Sequence, residues 1–152
     1  VLIADTGRLS GQVAALVKPA TAASPKIIGT EQWSGDTAVT SAPALRGALF
    51  SAMADTRFRQ FADSYKTRFG AQPYRIATLG YDSVLLTLRV AREWKPGTPF
   101  PTARLLDRGG FLGLDGAFRF NANGMIERAL EVREVRSGGV SVVSPAPSRF
   151  AD

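Results

Sequence analysis

The sequence predicts an α/β fold in which a mostly parallel sheet is flanked by helices and followed by a C-terminal antiparallel hairpin. Three observations support this fold class. The chain opens with a strand–helix–strand pattern, two strongly periodic helices occupy its middle, and its last third carries short strands separated by glycine-containing turns. A strand, a helix and a second strand joined by tight turns form the unit from which parallel sheets are built.

The first element is an apolar run over residues 1–4, a pattern typical of a strand buried on both faces. A helix follows, because apolar residues recur at helical spacing at Leu9, Val13, Leu16 and Val17. Pro19 ends this helix. Residues 20–25 form a linker of small residues, and Ile27 and Ile28 predict the second strand. Because the chain begins directly on a strand, with no initiator methionine and no signal peptide, we interpret it as a segment of a longer protein.

The middle of the chain is predicted to be helical. Residues 31–43 are polar and irregular, with one helical turn near residues 36–39, and residues 48–50 predict a third strand. A strong helix then carries Phe58, Phe61, Tyr65 and Phe69 on one face, capped by Asp55 or Thr56 before it and by Gly70 after it. A long helix over residues 74–94 is expected to be interrupted at Gly80, and a short helix to follow at residues 103–107.

The last third changes character. Residues 117–120 precede a hairpin-type turn at Asn121–Gly124, and residues 127–135 then alternate between apolar and charged side chains. Another turn at residues 137–139 leads to a last strand over residues 140–143, and residues 144–152 are predicted to be a loosely held end.

Composition excludes several kinds of function. The chain has no cysteine and no histidine, so thiolate chemistry, disulfides and the commonest general base are absent. The formal charge of +6 comes mainly from arginines spread along the whole chain, without the clustering typical of a nucleic-acid site. Gly109, Gly110, Gly113 and Gly116 lack the lysine and hydroxyl pair of a phosphate loop, so we interpret them as turn glycines. No enzyme, metal site, cofactor or nucleic-acid partner is therefore predicted.

Several motifs, in a consistent order, resemble one family. They are Ile28-Gly29-Thr30-Glu31-Gln32-Trp33, Leu45-Arg46-Gly47-Ala48-Leu49-Phe50, the spacing of Phe58, Phe61, Tyr65, Phe69, Gly70 and Pro73, the segment Leu79-Gly80-Tyr81-Asp82-Ser83-Val84-Leu85-Leu86, and Gly113-x-x-Gly116-x-Phe118-x-Phe120-x-x-x-Gly124. This order is similar to that of the second half of type I periplasmic binding proteins of the leucine/isoleucine/valine-binding type, which have a Rossmann-like fold. The segment from Phe118 to Leu130 also resembles binding-protein-like activators of penicillin-binding proteins.

The resemblance implies a single fragment of a two-lobed protein, spanning residues 1–152. Residues 1–50 would belong to one lobe, residues 56–143 mostly to the other, and residues 144–152 to a loose tail. The chain would cross between lobes near residues 52–55 and return later. A half-family chain would also expose apolar surface, so a homodimer of the fragment or strand exchange between copies is expected.

Four residues are candidate ligand-binding residues. Glu31 follows a strand at the carboxyl edge of the sheet, where α/β folds place ligands, and is either an ammonium partner or a solvated loop residue. Trp33 either walls the pocket or anchors the core. The resemblance implies that Tyr81 lines the pocket, the alternative being a helix-core tyrosine. Asp82 is expected to cap a helix or to pair locally, not to contact the ligand. Thr6, in the first strand-to-helix turn, either contacts a polar ligand group or simply caps the helix.

The resemblance implies a periplasmic solute-binding protein that performs no chemistry. Its ligand would be an amino acid or a similar small polar molecule, and its partner the membrane permease of an ABC transporter. The alternative is an envelope regulator of the same fold that activates a penicillin-binding protein and thereby cell-wall synthesis.

Overall fold

The computed structural model describes residues 1–20 and 25–150, which form two compact units. The first unit contains Val1–Met53 and Leu130–Pro145, and the second contains Ala54–Ala129 and the end of the chain from Ala146. The α-helices are α1 (Gly7–Val17), α2 (Thr37–Ser41), α3 (Thr56–Phe69) and α4 (Ala77–Ala91). The strands are β1 (Leu2–Ile3), β2 (Ile28–Gly29), β3 (Leu49–Ala52), β4 (Phe111–Gly113), β5 (Gly116–Phe120), β6 (Ile126–Arg128), β7 (Glu131–Arg136) and β8 (Gly139–Ser144).

The first unit is built on a five-stranded sheet in the order β1-β2-β3-β7-β8. The strands β1, β2 and β3 are parallel, and β7 joins them by pairing antiparallel to β3, with Phe50 opposite Arg133. The connection from β2 to β3 contains two short 3-10 helices, Glu31–Trp33 and Pro43–Leu45, with α2 between them. The sheet is therefore mixed, with its parallel part at the N-terminal side of the chain.

The apolar core of the first unit lies around these strands. Its largest buried side chains are those of Trp33, Phe50, Ile27, Leu45, Val39 and Val135. The rings of Trp33 and Phe50 are tilted against each other with centroids 5.8 Å apart. Aromatic burial of this kind contributes much of the hydrophobic stabilisation of a small unit.

The second unit combines α3 and α4 with a separate three-stranded antiparallel sheet in the order β4-β5-β6. Val90 of α4 and the facing rings of Phe111 and Phe118 are buried here. The helix α3 ends at Gly70, whose φ of 75° is the left-handed conformation that glycine adopts most readily. The hairpin turn at Asn121–Gly124 joins β5 to β6, and the Asn121 amide donates to the Met125 carbonyl over 2.9 Å.

Most elements that the sequence predicts are present, including the parallel strands, the α3 cap at Gly70, the Asn121–Gly124 turn and the final β8 strand. The linker predicted at residues 20–25 lies mostly outside the described residues. Residues 146–150 belong to the second unit, where the Arg119 guanidinium lies 4.5 Å from the Phe150 ring centre.

Two sequence predictions are wrong. The expected interruption of the long helix at Gly80 does not occur, because α4 continues from Ala77 to Ala91 and glycine in a helix interior only weakens it. The first strand is not buried on both faces, since Leu2 is exposed and only Ile3 is buried. Successive side chains of a strand point to opposite faces, so only the face of β1 that carries Ile3 is covered.

Within residues 1–20 and 25–150, no helix has both the length and the apolar character needed to cross a lipid bilayer.

Candidate functional site

The carboxyl ends of β1 and β2 lie at the same edge of the first unit's sheet. The two strands are parallel, with Ile3 opposite Gly29, so the turn after β1 and the turn after β2 leave the sheet side by side. These turns carry Thr6 and Glu31, two of the residues that the sequence singles out. Ligands of open α/β sheets bind outside the carboxyl ends of parallel strands, so this edge is the candidate site of the first unit.

Glu31 begins the 3-10 helix Glu31–Trp33 and is exposed at this edge. Its backbone carbonyl accepts a hydrogen bond from the Ser34 amide over 2.9 Å, which holds the turn in place. The position leaves its carboxylate on the surface, where it can accept hydrogen bonds from a cationic group.

Thr6 occupies the N-cap position of α1, but its side chain makes no capping hydrogen bond. The carboxylate of Asp36 takes that role: its Oδ2 accepts from the Gly7 amide over 2.9 Å, and its Oδ1 accepts from the Ala38 amide over 2.8 Å. One side chain therefore satisfies the first turns of both α1 and α2, which stabilises both helices. The Thr6 side chain is left exposed at the same edge of the sheet as Glu31.

Trp33 is an anchor of the core. Its side chain is only 1% exposed, and its indole Nε1 donates to the Asp5 carbonyl over 3.0 Å, with the Ser10 hydroxyl 3.1 Å away. The ring lies directly over Gly29, where an added Cβ would overlap it. The indole thus ties the turn after β1 to the turn after β2.

Tyr81 lies in the second unit, on α4. It is 45% exposed, and its ring centre is 5.1 Å from that of Phe61 on α3. Thr6, Glu31 and Trp33 are brought together at one sheet edge of the first unit, whereas Tyr81 belongs to a different unit. Its assignment to a ligand pocket stays a prediction.

A network of charged and hydroxyl groups in the second unit was not found from the sequence. The buried Asp115 accepts from Arg75 Nε over 2.8 Å and from the Thr78 hydroxyl over 2.6 Å, and Arg75 Nη1 donates to Asp55 over 2.7 Å. The Arg75 guanidinium also stacks over the Phe58 ring. These residues are far apart in the sequence, so no local pattern indicates that they meet.

Asp82 has a structural role in the same unit. Both of its carboxylate oxygens lie 3.0 Å from the Leu114 amide, and an added Cβ at Gly113 would overlap the carboxylate. Burial raises the pKa of Asp82, an effect that the Leu114 amide partly offsets. The partner of Asp82 is the Leu114 amide in the connection between β4 and β5, 32 residues away in the sequence. The sequence suggests a local partner instead.

The four glycines interpreted above as turn glycines lie next to this connection: Gly109, Gly110, Gly113 and Gly116. Gly110 and Gly116 have φ values of 72° and 96°, and β4 and β5 follow where a phosphate loop would require a helix. In the part of the chain that the structure describes, no group of three or more acidic, histidine or cysteine side chains is placed to hold a metal ion.

Neither a protein-family model nor a curated protein sequence matches the chain. Solved structures do match it. They include the leucine-binding protein LivK of Thermotoga maritima, with 17% identity, a TM-score of 0.55 and coverage of 94% of this chain and 43% of that one. The branched-chain amino acid binding protein LivJ of Streptococcus pneumoniae, solved with isoleucine, matches with 20% identity and a TM-score of 0.52, covering 95% of this chain and 44% of that one.

A third match is the C-domain of LpoA from Haemophilus influenzae, a regulator of PBP1A. It has 14% identity and a TM-score of 0.58, with 93% of this chain and 43% of that one covered. The chain thus spans less than half the length of these three proteins. At such identities the likeness concerns the fold. The chain has the fold of the type I periplasmic binding proteins.

Proposed function

We propose that this chain is part of an extracytoplasmic solute-binding protein that binds an amino acid or a similar small polar ligand for an ABC transporter. The observation that carries the proposal is the first unit's sheet edge, where the exposed Glu31 and Thr6 follow two parallel strands over a rigid indole support. The fold is shared with proteins that bind leucine and isoleucine. Its partners would be the ligand and the membrane permease of the transporter. The protein would be located in the periplasm.

In this proposal Glu31 is the partner of the ligand's ammonium group. A charge-assisted hydrogen bond between a carboxylate and an ammonium group is about twice as strong as a neutral one. Thr6 presents its hydroxyl at the same edge and would contact another polar group of the ligand, while Trp33 holds the two turns in position. Tyr81 stays a proposed ligand-contacting residue.

The residues of the chain favour binding without chemistry. The sequence contains neither histidine nor cysteine, so the usual nucleophile-and-base pairs cannot be assembled from it. A binding protein needs only a complementary surface and closure around the ligand.

A second function is also supported by a specific observation. The matched LpoA domain regulates a penicillin-binding protein, and it covers nearly as much of this chain as the amino-acid-binding proteins do. An envelope regulator of this kind would act through its protein partner, the penicillin-binding protein, and would require no amino-acid ligand.

Calorimetric titration of the complete natural protein with branched-chain and other amino acids tests the proposal. We expect one of them to bind, and Glu31→Gln to weaken that binding by about ten- to a hundredfold. Loss of a charge-assisted hydrogen bond costs about 1.5–3 kcal/mol, which corresponds to that change in affinity. The melting temperature should change little, because Glu31 is exposed.

Glu93→Gln is the matched control, since it removes an exposed carboxylate of the second unit and should leave affinity unchanged. Equal affinity of Glu31→Gln and the wild type would show that the site is elsewhere. If the wild type binds no amino acid, the regulator is favoured, and co-purification with a penicillin-binding protein becomes the decisive measurement.

A further inference from the structure

A groove with charged walls lies at the C-terminal end of α4, in the second unit. We call it the α4 groove, and its volume is about 480 Å³. It lies between the end of α4, the short 3-10 helix Thr102–Leu106 and the start of β4. The side chains that define it are those of Arg89, Val90, Glu93, Arg104, Leu106 and Phe111. None of them belongs to the ligand site proposed above.

The α4 groove combines apolar and basic groups. Val90 and Phe111 are 2% and 7% exposed, whereas Leu106 is 47% exposed. The guanidinium carbon of Arg89 lies 5.1 Å from the centre of the Phe111 ring. A guanidinium over an aromatic ring keeps its charge and can still donate to a carboxylate through its N–H groups. The groove therefore offers an apolar contact and a cation side by side.

The two carboxylates at the groove already have partners within the chain. Glu93 accepts a hydrogen bond from Arg104 Nη2, and Asp107 accepts one from the Gly109 amide over 2.9 Å. The Arg104 guanidinium has five N–H donors, of which Glu93 occupies one. Arg89 forms no ion pair with any residue that the structure describes. Donors of both arginines therefore remain available to an anionic group from another molecule.

The loop that joins the two walls of the groove is held by its own contacts. Trp94 Nε1 donates to the Thr98 carbonyl over 2.9 Å, and the Thr98 hydroxyl donates to the Lys95 carbonyl over 2.7 Å. The rings of Trp94 and Phe100 meet edge to face, with centroids 5.7 Å apart. Such contacts reduce the conformational freedom that is lost when a partner binds.

The charge of the segment that forms the groove indicates the chemistry of its partner. Residues 89–108 have a net charge of +3, from five basic side chains and two acidic ones: Arg89, Arg92, Lys95, Arg104 and Arg108 against Glu93 and Asp107. A second copy of this chain lacks the complementary charge, because the chain carries +6 and has no two acidic residues adjacent in its sequence. A nucleic-acid backbone would satisfy the arginines but not the apolar side chains of the groove.

We propose that the α4 groove binds an acidic segment of a protein partner. Carboxylates of this segment would accept hydrogen bonds from Arg89 and Arg104, and one of its apolar side chains would pack against Leu106 and Phe111. Hydrogen bonds from arginine to carboxylate orient a partner as well as attract it. Both functions considered above act through a protein partner, so the inference does not depend on amino-acid binding.

Fluorescence anisotropy with the complete natural protein tests the inference. The probe is a fluorescein-labelled peptide in which glutamates alternate with leucines, and we expect it to bind. Arg89→Gln combined with Arg104→Gln should weaken this binding about tenfold, because two ion pairs with the peptide are lost. The matched control, Arg59→Gln combined with Lys66→Gln, removes two exposed cations of α3 and should change the affinity less than about twofold.

Two altered peptides separate the charged contact from the apolar one. Replacing every glutamate with glutamine, or every leucine with serine, should weaken binding at least about fivefold. Failure of the glutamate–leucine peptide to bind would overturn the inference, as would equal losses in the double variant and its control. Tighter binding of a single-stranded oligonucleotide that also depends on Arg89 and Arg104 would assign the groove to nucleic acid and would likewise overturn it.

Discussion

At the scale of single residues, close contacts explain why particular side chains stand where they do. Gly29 has no side chain because the Trp33 ring occupies the space that a Cβ would need. Trp33 in turn donates to the Asp5 carbonyl, so one indole joins two turns that are 28 residues apart. The candidate ligand residues Thr6 and Glu31 are thereby held at one edge by a residue that is itself inaccessible.

Asp82 provides a prediction about pH. Because burial raises its pKa above the ordinary value of 3.8, the folded chain binds a proton at this carboxyl more tightly than the unfolded chain does. Its contribution to the free energy of unfolding therefore increases as the pH falls from neutral towards about 4, and is constant below that. Asp82→Asn cannot be protonated and keeps an oxygen to accept from the Leu114 amide.

The difference in unfolding free energy, Asp82→Asn minus wild type, should accordingly be more positive at pH 7 than at pH 4. Urea unfolding at both pH values measures it. Ser83→Ala, a non-titrating change at the next residue, should follow the wild type at both. A difference that is constant with pH would show that burial does not govern the Asp82 carboxyl.

At the scale of elements, polar contacts join the start of α4 to the connection between β4 and β5. Asp115 is 2% exposed, and it accepts hydrogen bonds from Arg75 and Thr78, which lie before and within the first turn of α4. Arg75 also reaches Asp55, just before α3. A buried carboxylate with several partners is costly to disturb, since its partners would lose their hydrogen bonds.

Asp115→Ala should lower the free energy of opening of the second unit by roughly 2–4 kcal/mol, because it leaves the Arg75 guanidinium without its buried partner. Hydrogen exchange of the α4 amides measures this opening. Asp63→Ala removes an exposed carboxylate from α3 and should change it by no more than about 0.5 kcal/mol. Equal effects of the two substitutions would argue that the Asp115 contacts contribute nothing to the second unit.

At the scale of the whole molecule, exposed apolar surface is the dominant feature. The second unit has an apolar face on its two helices, the α3/α4 face, formed by Phe61, Tyr65, Phe69, Val84, Leu85 and Leu88. In the first unit, Leu9, Val13 and Leu16 form a further exposed apolar stripe on α1. Large exposed apolar patches on soluble proteins mark surfaces that bind other protein or promote aggregation. Apolar faces without a covering layer favour association between copies.

The purified 152-residue chain is therefore expected to form dimers or larger species, and light scattering measures this. Val84→Lys combined with Leu88→Lys should shift it towards monomer, because a charge on the α3/α4 face opposes burial. Ser83→Lys adds one positive charge at an exposed polar position of the same helix and should leave the association state unchanged. A stable wild-type monomer would show that the chain is a self-sufficient domain.

Most of the helices and strands and their order were predictable from the sequence alone, but β4 and the division of residues 127–135 between β6 and β7 were not. Helical spacing marked α1 and α3, Gly70 marked the end of α3, and the Asn121–Gly124 turn marked the β5–β6 hairpin. These signals are local, because periodicity and turn chemistry depend on neighbouring residues. The fold class followed from the alternation of these elements.

The tertiary structure alone decided which side chains meet and which are enclosed. Trp33 is a core anchor because its indole donates to the Asp5 carbonyl and contacts the Ser10 hydroxyl. Asp115 accepts hydrogen bonds from Arg75 and Thr78, which precede it by 40 and 37 residues in the sequence. Leu2 and Val84 are exposed, although the sequence pattern shows only that both are apolar. Burial and hydrogen bonding depend on chain segments far apart in sequence, so composition and spacing indicate an apolar face without indicating what covers it.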